Sequence, residues 1–104
     1  MSSVEIYRVK VGPTRVERLL EIDDQAVAEY QEQVPELERI ELVRLDDETW
    51  LDIIRWSGPV NQQRLQAAAW HPAASEVHEI MAHELAHYRG ELVHSSGKAR
   101  AAAN

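Results

Sequence analysis

Glu38-Arg39-Ile40-Glu41-Leu42-Val43-Arg44-Leu45-Asp46-Asp47-Glu48-Thr49-Trp50-Leu51-Asp52-Ile53-Ile54-Arg55-Trp56 is the stretch on which the fold turns. Two runs of β-branched, aliphatic and aromatic residues flank a compact acidic turn, Asp46-Asp47-Glu48. So short a connection leaves no length for a crossover, so the runs predict two strands joined as an antiparallel hairpin. Strand side chains alternate between faces, which sets Trp50, Asp52, Ile54 and Trp56 against Leu51, Ile53 and Arg55. In the preceding strand Ile40 and Leu42 oppose Val43 and Leu45. Both faces of this hairpin are rich in apolar side chains, so both must be covered.

Upstream, Val4 to Val11 is a further β-branched, roughly alternating run, closed by Gly12-Pro13. Thr14 with Glu17 forms a capping box, and Val16, Leu19, Leu20, Val27, Tyr30 and Val34 recur at helical spacing. These features predict an amphipathic helix over 14–33, stopped by Pro35. Downstream, Ser57-Gly58-Pro59 breaks the chain before a short helical stretch rich in Gln and Ala over 60–70. After His71-Pro72 a longer helix is predicted over 73–86, with Val77, Ile80, Met81 and Leu85 on its apolar stripe. A last strand is predicted over 88–95. The order β-α-β-β-α-β is the ferredoxin-like α+β arrangement, a four-stranded antiparallel sheet with helices on one face. With helices enough for one face only, the other is expected to pack on a second copy, giving a homodimer. Residues 1–96 are expected to form the single domain and 97–104 a flexible tail.

The 104 residues suit one domain, and 44% hydrophobic with 28% charged residues is ordinary for a globular protein. Eighteen acidic against eleven basic side chains give a net charge of −7. That field repels phosphate backbones and anionic lipid, which argues against nucleic-acid or membrane-surface binding. The absence of cysteine excludes disulfides, thiolate metal sites and cysteine nucleophiles. With no signal-like or membrane-spanning segment, the expected location is cytoplasmic.

His83-Glu84-Leu85-Ala86-His87 matches the H-E-x-x-H pattern of zinc proteases, in which a helix presents both histidines to one ion. The extension of that pattern needs a histidine where Val93 stands, and the predicted helix ends near Ala86. No metal site is therefore assigned, and the two histidines are read as solvated residues at a helix C-terminus. Asp52 is more informative, because a carboxylate among apolar strand neighbours must be paired, hydrated or protonated. It pairs with a cation such as Arg8 or His78, or it lines a cavity between sheet and helices as a hydrogen-bond acceptor or base. Trp50, Trp56 and Trp70 with Tyr7, Tyr30 and Tyr88 are the whole aromatic content. They serve as core, or they stack on a flat aromatic ligand. His78 falls at the margin of the buried helical stripe.

The order of elements, the third strand closing as Arg55-Trp56-Ser57, and the small-residue helix ahead of His71-Pro72 together resemble the antibiotic biosynthesis monooxygenase family of the dimeric α/β-barrel superfamily. The resemblance spans residues 4 to about 95 and implies a cofactor-independent oxygenase of small phenolic or polycyclic molecules. Of the family's Asn-x-x-x-Trp pair, Trp56 is kept and Asp52 replaces the Asn. The family's tyrosine falls on Gln62 or Arg64, and its arginine on His78. The resemblance therefore implies Asp52, His78 and Trp56 as catalytic residues and no cofactor, and of the aromatic side chains Trp50, Trp70, Tyr7 and Tyr30 are expected to bind the substrate. Haem degradation is disfavoured, because the first strand lacks the Asn of the haem-degrading members and no Trp–His pair has their spacing. A non-catalytic small-molecule-binding or accessory protein of the same fold is the alternative.

Overall fold

The structure, a computed structural model, describes residues 2–97, so the expected tail lies outside the described residues apart from Gly97. Strand β1 (Ser3–Lys10) leads through a 3-10 turn (Pro13–Arg15) into helix α1 (Val16–Gln33). Strands β2 (Leu37–Arg44) and β3 (Thr49–Trp56) follow, then helices α2 (Gln62–Ala68) and α3 (Pro72–Ile80), and strand β4 (His83–Glu91). The four strands form one antiparallel sheet in the order β2-β3-β1-β4. This is the ferredoxin-like arrangement expected from the sequence, with the helical connection before β4 split into two helices. No helix among the described residues is long and apolar enough to cross a membrane.

The hairpin forms as its turn chemistry dictates. Asp46 Oδ1 accepts from the backbone N–H groups of Glu48 at 3.0 Å and Thr49 at 2.8 Å, an Asx turn that reverses the chain. The start of α1 departs from expectation. Thr14 does not cap it; Arg15 N–H instead bonds Gly12 C=O at 2.9 Å, and Pro13 opens a 3-10 turn that precedes the helix. Helix α2 is capped by Asn61, whose Oδ1 accepts from Arg64 N–H at 3.1 Å. Pro72 stands at the start of α3, where its missing N–H costs nothing. The N–H groups of Ala73 and Ala74, which have no intrahelical acceptor in that first turn, are taken by the Glu29 carboxylate of α1, at 3.3 and 2.7 Å. Arg18 of α1 grips Glu76 of α3 through two nitrogens, at 2.7 and 2.9 Å. The two helices are thereby fixed side by side over the sheet.

Helix α3 ends at Ile80 rather than Ala86, and β4 starts at His83 rather than Tyr88. Met81 to Ala86 are ordinary helix formers, but from His83 onward the edge of β1 offers a ladder of backbone hydrogen bonds. Tertiary pairing overrides local preference here. The H-E-x-x-H string is therefore strand, which corrects its reading as a helix C-terminus. A register shift between Arg8 and Val9 sets His83 opposite Lys10 and His87 opposite Tyr7. Lys10 and Tyr7 belong to opposite faces of β1, so the two histidines also face opposite sides of the sheet and cannot share one ion. Among the described residues no group of three or more His, Asp or Glu side chains is placed to hold a metal.

The core lies between the sheet and α1 and α3. Val9, Leu19, Ile22, Ala26, Trp50, Val77 and Ile80 form one buried cluster, and Val34, Leu37 and Trp56 a second at the other end. The strand register puts Glu5, Tyr7 and Val9 of β1 on the helix side with Trp50, Asp52, Ile54 and Trp56 of β3. The opposite face carries Val4, Ile6, Leu51, Ile53, Val43 and Tyr88, and no helix or strand among the described residues covers it. Tyr88 and Val43 stand 59% and 39% exposed there.

Candidate active site

Between the two clusters the core does not close. A cavity of about 370 Å³ opens between the helix face of the sheet and the three helices, within the range of about 300–1,000 Å³ that small-molecule sites occupy. The strands supply Glu5, Tyr7, Asp52 and Trp56, and α1 supplies Asp23 and Tyr30. His78 of α3, an exposed residue, stands at its margin. Of the residues predicted from sequence, Asp52, His78, Trp56, Tyr7 and Tyr30 thus meet at one cavity. Trp50 and Trp70 do not. Trp50 is 4% exposed and packs in the first core cluster, with the Arg44 guanidinium 4.8 Å from its ring centroid. Trp70 lies just beyond α2 and is 85% exposed.

Asp52 sits mid-strand opposite Tyr7 of β1 and Leu42 of β2. Its Oδ1 is buried and has no hydrogen-bond partner among the described residues. Neither Arg8 nor His78 pairs with it: Arg8 stands opposite Leu51 on the other face, and no hydrogen bond joins His78 to the carboxylate. Burial, then the nearby charges of Asp23 and Glu5, push the Asp52 carboxyl up to about 7. Burial and Asp24 likewise raise Asp23, and burial with the Asp52 charge raises the Tyr30 hydroxyl. The cavity therefore holds acids, Asp52 on the sheet and Asp23 and Tyr30 on α1, that keep their protons to higher pH than usual.

Glu5 shows the opposite treatment. It is the one buried charged residue among the described residues, 4% exposed, and both its oxygens are engaged. Oε1 accepts from Trp56 Nε1 at 2.9 Å. Oε2 accepts from Arg89 Nη2 at 2.9 Å, meets His87 Nε2 at 2.8 Å, and takes the Tyr7 hydroxyl at 3.3 Å. Burial pushes its pKa up, but the hydrogen bonds from Arg89, His87 and Trp56 and the Arg89 charge outweigh it and hold the group below the usual range. The Tyr7 ring stacks on His87, with centroids 4.1 Å apart and planes 8° from parallel. Burial and the Glu5 charge push the Tyr7 hydroxyl up to about 12, so it stays protonated. The network fixes two cavity walls, the Trp56 indole and the Tyr7 ring.

The sequence does not single out Glu5, Asp23 or Arg89, and it marks His87 only as half of the H-E-x-x-H pattern. Glu5 shares strand parity with Tyr7 and Val9, a signal that places it inside. Nothing local marks Asp23, because its role depends on how α1 crosses the sheet.

No family model matches the chain, and no curated protein matches it. Solved structures do. SnoaB from Streptomyces nogalater, a cofactor-independent oxygenase, is 16% identical, with a TM-score of 0.59 over 93% of this chain and 98% of that one. HapK from Hahella chejuensis is 9% identical, with a TM-score of 0.62 over 96% and 100%. A protein of Chloroflexus aurantiacus, provisionally named an antibiotic biosynthesis monooxygenase, is 14% identical, with a TM-score of 0.62 over 93% and 98%. The chain has the antibiotic biosynthesis monooxygenase fold. At these identities the likeness shows the fold alone, and chemistry has to be argued from the cavity itself.

Proposed function

We propose that the cavity binds a small phenolic or polycyclic aromatic molecule and that Asp52 removes a proton from it, starting an oxidation by O₂ without a cofactor. The observation that carries this reading is the unpaired Asp52 carboxylate in the cavity wall. A base whose pKa is near 7 is half ionised at neutral pH, the condition under which proton abstraction works best. Removal of an acidic C–H proton by Asp52 leaves an electron-rich anion. That anion gives one electron to O₂, and the resulting pair joins through a new C–O bond to a hydroperoxide. Loss of the second C–H proton and cleavage of the O–O bond then release water and leave a carbonyl, so that CH₂ and O₂ become C=O and H₂O. Trp56, steadied by Glu5, holds the ring plane. Tyr7 and Tyr30 flank it, and His78 carries a proton at the margin. Support comes from the fold, shared with one protein named as a cofactor-independent oxygenase.

The test is oxygen consumption by the purified chain with an anthrone or a dihydroxynaphthalene. Stoichiometric uptake of O₂ with carbonyl formation is expected; substrate binding without turnover would leave a binding protein of the same fold. The rate should rise with pH through about 7 as Asp52 loses its proton, and a rate independent of pH between about 5 and 9 would contradict its role as base.

The same reading includes a homodimer. The uncovered face with Ile6, Leu51, Ile53 and Val43 is the apolar surface available to a second copy, packing sheet on sheet. Light scattering is expected to give twice the 11.9 kDa of one chain, and Ile53→Asp to halve it. A monodisperse mass of 11.9 kDa at micromolar concentration would sink this expectation.

A further inference from the structure

The cavity walls combine aromatic faces with carboxylates that lack a counter-ion. Asp23 on α1 and Asp52 on β3 both line it, and among the described residues neither has an ion-pair partner. Glu5 on β1 is already neutralised by Arg89. The other titratable groups facing the cavity are Glu84 of β4, His78 of α3, and the hydroxyls of Tyr7 and Tyr30. Strand β2 and helix α2 contribute no ionisable side chain to it, and among the described residues no lysine or arginine lines it.

Two carboxylates that line one cavity without a cation are an unfavourable arrangement whenever both are ionised, whether the cavity is empty or holds a neutral molecule. An ammonium group resolves it. A ligand cation gains further from the faces of Tyr7, Tyr30 and Trp56, the side-chain types that attract positive charge through their ring quadrupoles. We infer that the natural ligand of this cavity is an aromatic molecule bearing a basic nitrogen, bound as its cation against Asp23 and Asp52. Asp23 faces the cation from the helix side and Asp52 from the sheet side. The inference rests on the proposal that the cavity takes a small aromatic molecule, but not on its oxidation.

Three probes that share one naphthalene ring decide it by calorimetry on the full chain: naphthylmethylamine, its near-isostere naphthalenemethanol, and naphthoic acid. The amine is expected to bind about 10–100-fold more tightly than the alcohol, the range of one charge-assisted hydrogen bond, and the acid most weakly. Asp23→Asn should bring the amine-to-alcohol affinity ratio close to one; Asp52→Asn serves the same purpose if that variant does not fold. The amine's advantage should also grow as pH rises through about 7, with Asp52 ionising. Equal binding of amine and alcohol, or tightest binding of the acid, would overturn the inference and leave the aromatic cavity standing. No binding of any probe would overturn both together.

Discussion

Asp52→Asn is expected to slow oxidation of a phenolic substrate by about 10²–10⁴-fold, the usual cost of losing one placed general base. The same change should raise the melting temperature at about pH 8. The carboxyl is pushed up to about 7 in the folded chain from an ordinary 3.8. The folded state then binds more protons than the unfolded one between those values, so stability falls as pH rises through that window. At about pH 8 the ionised carboxylate costs on the order of 4 kcal/mol, and removing it recovers that amount. The buried amide, left without a partner, gives back about 1–3 kcal/mol. A net gain of about 1–3 kcal/mol corresponds to several degrees for a chain of this size. At about pH 4 the gain should vanish, and the variant be no more stable than the parent. Had Asp52 been half of a buried ion pair, the substitution would strand the partner and cost about 3–5 kcal/mol instead. Thermal melts of both proteins at the two pH values separate these cases, and activity on the same samples reports the chemistry.

Glu5→Ala carries the other large effect, with the opposite sign. It removes the acceptor from the indole N–H of Trp56, a residue 2% exposed, and among the described residues that N–H has no second partner. An orphaned buried donor costs about 1–3 kcal/mol, and the emptied volume and the lost bonds to Tyr7 and His87 add to it. A fall of about 10 °C or more in melting temperature is expected. Because the folded Glu5 carboxyl titrates below its ordinary 4.5, its contribution is fully present above that value and is lost as pH falls through the lower one. The gap between parent and Glu5→Gln should therefore narrow as pH falls below 4.5. A gap of constant size from about pH 3 to 8 would show that the charge of Glu5 contributes nothing.

Strand β3 was legible to the residue, since its alternation and the short acidic turn leave one register for a hairpin. The same alternation placed Trp50, Asp52, Ile54 and Trp56 on a common face, and the structure agrees. What the alternation could not say is which residues of that face touch the core and which touch the cavity. Trp50 and Trp56 are equally buried, yet only Trp56 reaches the cavity, because the helices pack tightly over one end of the sheet and leave its middle open. Trp70 was misplaced because α2 stops at Ala68, which carries the ring out into solvent. The last strand was read too late because Met81 to Ala86 favour helix when alone. Their partner, the free edge of β1, lies more than seventy residues away in sequence. Asp52 was found because an acid in an apolar strand is conspicuous, whereas Glu5, between Val4 and Ile6, sits in a strand already rich in charge.

Carboxyl-carbon NMR titration of Asp52 in the ligand-free chain tests its uncompensated state most directly. A resonance that titrates at about 7, and disappears from the spectrum of Asp52→Asn, is the predicted result. A midpoint near the ordinary 3.8 would mean that the carboxylate is paired or hydrated, and would contradict its role as the base of this cavity.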